Sequence, residues 1–292
     1  MYPDKSTKHM KPLSKPLNVL FALLIGSLIT LPTAFAQNFQ GIATYRSDRD
    51  MSNFNFQSND MPAEMIENMK AQLKKQFQKD YELKFDQSAS TWAEAESLDG
   101  GAATASAGGM VMTISMGGGT TYKNTANNSL ITQTEAFGKQ FLITDELEER
   151  AWEMTGNSKK IGNYTVYEAT FDNISERRTI SVSDEDKTTE TVMDTTRITV
   201  WYTPEIPVPH GPEEYWGLPG LILEMTDGNV TYLCTKVVLN PEKGVEINKP
   251  TKGKKVTADE FDEELAKMEE KMMKKFSGGE DGEHTMTIQI GG

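Results

Sequence analysis

The side chains with the widest chemical range lie close together in one proline-rich stretch. His210 is followed at short spacing by Glu213 and Glu214. An imidazole beside carboxylates can bind a transition metal or exchange protons in acid–base catalysis. The sequence contains no nucleophile elbow, P-loop, HExxH helix or dinucleotide fingerprint that would support a catalytic role. A structural or surface histidine is therefore the favoured interpretation, and a metal site at His210 and Glu213 is the alternative.

A second group of candidate ligands consists of methionines. Met110, Met112 and Met116 lie in a stretch rich in glycine and methionine, residues 98–119. They share one face if the chain is extended there, and thioethers are soft ligands that suit Cu(I). No histidine or cysteine lies nearby in the sequence. We therefore favour a flexible insertion whose apolar face packs on a partner or on the domain, and neither group of residues predicts a cofactor.

The single cysteine, Cys234, allows no disulfide within the chain. It lies in an apolar strand pattern, which predicts a buried and unreactive thiol. An intermolecular disulfide and a metal ligand are the alternatives.

Residues 201–225 must position the His210 cluster, and their composition predicts a stiff, irregular connector. The connector holds five of the twelve prolines in the chain. Each proline fixes its own φ, lacks an N–H donor and favours extended geometry in the residue before it. Neither a helix nor a central strand can therefore run through the connector. Three aromatic residues around the histidine predict a recognition surface, although covering one end of a sheet explains them equally well: Tyr202, Tyr215 and Trp216.

The connector contains a predicted tight turn. It spans Leu218, Pro219, Gly220 and Leu221, and Gly217 directly precedes it as a further structural residue. Proline suits the first central position of a type II turn, and glycine tolerates the positive φ of the second. The sequence thus predicts a type II turn with Gly220 at positive φ.

Two hairpins are predicted on either side of the connector. Residues 177–183 and 192–202 indicate a long hairpin with an acidic tip, and residues 226–229 carry the turn signal of a shorter one.

The connector also carries a family resemblance. Residues 217–222 read GLPGLI, preceded by WYTPEIP at 201–207 and by a Gly-Pro pair at 211–212. This pattern closely resembles the GLPGLI family of envelope proteins from Bacteroidetes-type bacteria. Looser agreement extends over residues 39–240. The resemblance implies an exported protein, but the family implies no established biochemical activity.

The two ends of the chain indicate its compartment. Residues 1–36 resemble a secretory signal peptide, with four lysines, an apolar run and a small-x-small cleavage site at 34–36. We therefore expect export to the periplasm or to the outer membrane, with no transmembrane segment in the mature chain. The net charge of −13 makes nucleic acid or an anionic membrane surface a poor partner.

Strand and helix patterns together predict an α+β fold. We expect one β-rich domain over residues 37–256, with the insertion at 98–119, followed by a C-terminal helix and tail at 257–292. The sheet is predicted to be curved, antiparallel and half-barrel-like, with roughly eight to eleven strands. Two amphipathic helices, at about residues 62–79 and 257–276, are expected to pack against it.

These observations favour a protein that binds without catalysing a reaction. The expected role is that of an exported binding or adaptor protein, accessory to a transport or assembly complex of the outer membrane. A small apolar ligand held by the curved sheet is a further candidate. The alternative is a periplasmic protein that handles copper or another transition metal, and an enzyme is the least favoured class.

Overall fold

The structure is a computed structural model, and it describes residues 39–50, 63–95, 102–107, 110–115, 119–182 and 187–277. All of these belong to one compact unit, Phe39–Gly292. Several predicted features lie outside the described residues: the signal peptide at 1–36, Met116, the acidic tip of the long hairpin at 183–186 and the tail after Ser277.

Strands make up most of the described chain. They are β1 (Gly41–Arg49), β2 (Asp80–Phe85), β3 (Ala89–Glu94), β4 (Ala102–Ala107), β5 (Met110–Ser115), β6 (Thr120–Asn124), β7 (Ser129–Ala136), β8 (Lys139–Glu146), β9 (Glu153–Ile161), β10 (Tyr164–Val182), β11 (Lys187–Thr203), β12 (Leu221–Thr226), β13 (Val230–Leu239) and β14 (Lys254–Val256).

Twelve of these strands form one curved sheet that does not close on itself. Their order is β14-β8-β7-β6-β3-β2-β1-β13-β12-β11-β10-β9, and β4 and β5 form a separate two-stranded sheet. All neighbours in the large sheet are antiparallel except β14, which runs parallel to β8. The count exceeds the eight to eleven strands that we expected. Strand β14 accounts for the extra strand. Its three residues, KKV, are too few to show an alternating pattern, and they form a strand only by pairing with β8, which is distant in sequence.

Two helices accompany the sheet: α1 (Ala63–Phe77) and α2 (Ala258–Ser277). Leu73 and Phe77 of α1 are buried, and α1 lies beside β1 and β4. Helix α2 begins with a capping box, in which Thr257 and Glu260 each accept a hydrogen bond from the other's main-chain N–H, at 3.2 and 3.0 Å. Its Phe261 meets Phe141 of β8 edge to face, 5.1 Å between ring centres.

Among the described residues, no helix combines the length and the apolar composition needed to cross a membrane.

The long hairpin predicted before the connector is confirmed as β10 and β11, which pair from Tyr167–Tyr202 to Val182–Lys187. Strand β9 pairs with β10 only as far as Thr170, and β12 pairs with β11 only from Thr199. Beyond those residues the hairpin continues as a two-stranded ribbon of about 40 Å, at 3.3 Å per residue. The shorter hairpin, β12 to β13, is also confirmed.

One face of the sheet gathers residues that strand periodicity separates in sequence. Side chains directly opposite one another across neighbouring strands share a face. One such row runs from Ala43 through Leu83, Trp92 and Thr121 to Thr132. The next row toward the connector brings Phe85 and Ser90 to Lys123, and all three are buried. This face forms the core and supports the connector.

Candidate functional site

The connector is folded over the sheet by a buried lysine. Lys123 of β6 is fully buried. Its Nζ donates hydrogen bonds to the main-chain carbonyls of Gly211, Glu213 and Tyr215, at 2.7, 2.6 and 3.0 Å. Proline-rich chain cannot satisfy its carbonyls in a regular ladder, so one ammonium with three donors supplies their partners.

Burial also sets the protonation of this lysine. Loss of water lowers the pKa of Lys123 to about 7, and nearby Glu214 opposes the shift. The three carbonyl dipoles also favour the ammonium form. Lys123 therefore acts as a buried structural cation under the connector.

His210, the first sequence candidate, is packed within the core. It is fully buried, and its Nε2 lies 3.1 Å from the carbonyl oxygen of Asp86. A carbonyl can only accept, so Nε2 carries the proton and Nδ1 is the free acceptor, for which the described residues offer no hydrogen-bond partner. Burial, with a smaller effect from the Lys123 charge, lowers the pKa of His210 to about 3. The imidazole is therefore neutral at physiological pH.

The candidate metal ligands are spread over different parts of the structure. Met110 and Met112 lie on β5, opposite Ala107 and Ala105 of β4, in the separate two-stranded sheet. The carboxyl of Glu213 accepts a hydrogen bond from Tyr232. Within the described residues, no group of three or more histidine, cysteine, aspartate or glutamate side chains is arranged to hold an ion. Cys234 is buried as predicted, and burial raises the pKa of its thiol to about 12.

The connector aromatics are largely buried. Tyr202 and Tyr215 are 8% and 5% exposed, and the Arg150 guanidinium lies 4.7 Å from the Tyr215 ring centre. The half-buried Trp216 donates its indole N–H to the carbonyl of Glu148 at 3.0 Å. In the monomer these side chains cover the sheet, which is the second of the two interpretations offered for them.

The predicted turn has a different geometry from the one expected. The positive φ, 95°, lies at Gly217, so the prediction of positive φ at Gly220 is wrong. Gly220 is required for another reason, because a Cβ there would lie 2.2 Å from the carbonyl oxygen of Thr203. The main chain after Gly220 is hydrogen-bonded to the earlier part of the connector. The Leu221 N–H donates to the main-chain carbonyl of Ile206 at 2.9 Å, and the Ile222 N–H donates to that of His210 at 3.0 Å.

An aromatic cavity of about 280 Å³ lies between α1, the sheet and the connector. We call it the aromatic cavity throughout. Its aromatic wall consists of Phe77, Tyr81, Trp92 and Tyr232. Tyr81 stacks on Trp92 at 4.9 Å between ring centres, and Tyr232 meets both rings edge to face at 5.3 Å.

Charged side chains complete the lining of the aromatic cavity. Lys79 and Glu94 form an ion pair of 2.7 Å, and Arg49 lies over the ring of Phe77. Glu214 reaches the cavity while pairing with Arg150 at 3.3 Å. Two of the three carboxylates at the cavity, those of Glu94 and Glu214, are therefore already balanced by cations of the protein.

The third carboxylate, that of Glu213, is unusual in both backbone and charge. Its φ is 50°, a left-handed conformation that costs a residue with a side chain about 1–3 kcal/mol. Its carboxyl accepts a hydrogen bond of 2.6 Å from the Tyr232 hydroxyl, while its carbonyl accepts from Lys123. Burial and the neighbouring Glu214 raise the pKa of Glu213 to about 7. Strained backbone and a perturbed carboxyl at a cavity are characteristic of functional sites.

A second cavity, of about 390 Å³, lies on the other side of Glu214 and is lined mainly by polar and acidic residues, including Asp145, Glu148 and Asp259. The aromatic cavity is the better candidate, because ligand sites are mostly apolar with a few convergent polar groups.

Sequence reasoning included Glu213 but missed the rest of the aromatic cavity. Tyr81, Trp92 and Tyr232 lie in three different strands, and no motif in the sequence marks them as a group. Their strands β2, β3 and β13 are separated by up to 145 positions of chain, from Phe85 to Val230. The pattern within a single strand does not reveal which strands become its neighbours. The one available signal was alternation, which places Tyr81 and Leu83 on the same face of β2.

Comparison with known proteins adds a family match and two similar structures. A family model described as "Protein of unknown function (Porph_ging)" matches residues 152–224. This agrees with the expectation of an uncharacterised family, under a different name from GLPGLI. No curated protein matches the chain significantly.

Two of the solved structures to which this chain is similar are of PNGF-II. In the C2 space group the identity is 13% and the TM-score 0.44, with 78% of this chain and 33% of that chain covered. In the P21 space group the identity is 12% and the TM-score 0.45, with 79% and 33% covered. This chain thus spans about a third of the length of those structures.

Proposed function

We propose that this protein is an exported binding protein of the cell envelope, that it does not catalyse a reaction, and that it is a member of the GLPGLI family. The family assignment is supported by the GLPGLI sequence at 217–222, which lies within the segment matched by the uncharacterised family. Export to the periplasm or outer membrane is supported by the signal-like pattern at 1–36.

The observation that carries the binding role is the strained backbone of Glu213 at the aromatic cavity. The left-handed conformation is unfavourable by itself, and the contacts of Lys123 and Tyr232 hold it in place. A cavity whose wall is already packed can bind a small ligand without first ordering the chain, which reduces the entropic cost of binding.

Filling the aromatic cavity should abolish this binding. In a thermal-unfolding screen against a library of small molecules, a ligand at a hundred times its Kd stabilises wild-type protein by about 2.7 kcal/mol. Thr132→Trp places a large ring in the cavity, so the stabilisation should disappear in that variant. The matched control is Thr144→Trp on β8, because Thr144 is exposed and that variant should keep the full shift.

If tryptophan at 132 prevents folding, Thr121→Leu on the neighbouring strand is a smaller filling change. A wild-type protein that no library compound stabilises would contradict the binding role. A stabilisation that survives in both filled variants would contradict the location of the site.

An adaptor role at an outer-membrane complex is a second candidate, favoured by the projecting hairpin. Ile174 and Met193 are 64% and 61% exposed, and they lie diagonally on one face of the ribbon, since Ile174 is opposite Thr195. A two-stranded ribbon is only marginally stable by itself, and its strand edges can pair with a strand of another protein.

We expect the tagged mature protein to capture an integral outer-membrane protein from solubilised envelope. The double change Ile174→Ser and Met193→Ser should reduce that capture at least about tenfold. Both side chains would be buried against the partner in the complex, and losing two such apolar contacts costs more than about 1.4 kcal/mol of binding free energy. Leu233→Ser is the control, since Leu233 is exposed on β13, outside the long β10–β11 hairpin. Equal capture by the double variant and by wild type would exclude the hairpin as the docking surface.

A further inference from the structure

Two side chains of opposite charge line the aromatic cavity without an ion-pair partner among the described residues. Lys79 is paired with Glu94, and Glu214 with Arg150. In the described part of the chain, neither Arg49 nor Glu213 forms an ion pair. The cavity therefore presents one basic group, one acidic group and an aromatic wall.

The two charged groups line the same cavity. The Arg49 guanidinium lies 5.4 Å from the centre of the Phe77 ring. The Glu213 carboxyl accepts a hydrogen bond from Tyr232, whose ring meets that of Tyr81 edge to face. A ligand that spans the cavity can therefore contact both charges at once.

We propose, building on the binding role above, that the ligand of the aromatic cavity is a small zwitterion with an apolar side chain, an α-amino acid or its close equivalent. Its carboxylate pairs with Arg49, its ammonium pairs with Glu213, and its side chain lies against Phe77 and Tyr81. The guanidinium suits a carboxylate because it offers two parallel donors. The aromatic faces suit both the apolar side chain and the adjacent ammonium.

Cavity size and protein charge agree with this ligand class. A volume of about 280 Å³ is at the lower limit of ligand pockets, roughly 300–1,000 Å³, so the ligand must be small. The net charge of −13 disfavours a purely anionic ligand by long-range repulsion.

Three probes separate the two charge contacts: L-phenylalanine, phenethylamine, which lacks the carboxylate, and 3-phenylpropionate, which lacks the amine. By isothermal titration calorimetry at pH 8, L-phenylalanine should bind about tenfold or more tightly than either analogue, because each charged contact is worth at least that factor. Glu213→Gln should weaken L-phenylalanine and phenethylamine by about tenfold and leave 3-phenylpropionate unchanged. Arg49→Gln should weaken L-phenylalanine and 3-phenylpropionate and leave phenethylamine unchanged.

The pH dependence of phenethylamine affinity tests whether the Glu213 carboxylate contacts the ligand. A purely structural role of Glu213 would not produce such a dependence. The groups acting on Glu213 are Glu214, Tyr232, Asp227 and Lys123, and together with burial they place its pKa at about 7. Below that pH the carboxyl is neutral and attracts an ammonium weakly, so affinity for phenethylamine should increase from pH 6 to pH 8. The increase should be absent in Glu213→Gln.

The outcomes distinguish this inference from the binding role itself. Two results would contradict the proposal of a zwitterionic ligand. One is equal affinity for all three probes, and the other is an affinity for 3-phenylpropionate that increases from pH 6 to pH 8. If L-phenylalanine fails to bind while the cavity-filling variants abolish binding of another compound class, the ligand class is wrong and the binding role stands. If no compound binds, both are wrong.

Discussion

Replacing Lys123 with methionine is expected to lower the free energy of unfolding by about 3–5 kcal/mol. Three main-chain carbonyls, those of Gly211, Glu213 and Tyr215, lose their shared donor, and each buried acceptor left without a partner costs about 1–3 kcal/mol. Relief from burying a cation offsets part of this loss. The net effect is still large, since methionine fills the same space without satisfying any of the three carbonyls.

Chemical denaturation monitored by tryptophan fluorescence would measure this change. Lys84→Met on β2 is the control, because Lys84 is 41% exposed and should cost less than about 0.5 kcal/mol. Hydrogen exchange supplies a local test, in which the main-chain amides of residues 211–217 should lose protection before the rest of the sheet. A Lys123→Met protein as stable as the control would show that the connector does not depend on this cation.

Replacing Gly220 with alanine is expected to cost at least about 2–3 kcal/mol, as overpacking of a rigid site does. The added Cβ would lie 2.2 Å from the Thr203 carbonyl oxygen and 2.8 Å from the nitrogen of Pro204. Both neighbours are backbone atoms, one of them in a proline, so neither can rotate away. Thermal or urea unfolding of the purified variant would measure the cost.

Gly228→Ala separates the two explanations for the glycine. Gly228 lies at a φ of 87° with open space around its Cα, so its alanine variant reports conformational strain alone, about 1–2 kcal/mol. A Gly220→Ala cost equal to or below that of Gly228→Ala would favour the original turn interpretation over the close approach to Thr203.

Local features of the fold followed from the sequence where one short segment contains all the needed information. The Asp227-Gly228 turn is an example, because its hydrogen bonds join residues at most three positions apart. The long β10–β11 hairpin was predictable for a similar reason, since its two strands are adjacent in sequence and alternate together.

The turn at Gly220 shows where such reasoning fails. Its dipeptide, Pro219-Gly220, is typical of a type II turn, but the positive φ occurs at Gly217. The main chain at this point forms a tertiary hydrogen bond, from the Leu221 N–H to the Ile206 carbonyl at 2.9 Å. The close approach of Thr203, seventeen positions earlier in the chain, leaves no room for a Cβ at Gly220. Turn propensity is a local preference and does not include either tertiary contact.

The amino-acid sequence alone determined the β-rich class, the irregular connector and the burial of Cys234, because periodicity, proline geometry and hydrophobicity act over a few residues. Only the tertiary structure decided that Lys123 would hold the connector and that Glu213 would face Tyr232 across an aromatic cavity. Those contacts join residues 19 to 90 positions apart. Strand order and register bring them together, and many orders are compatible with the same alternating segments.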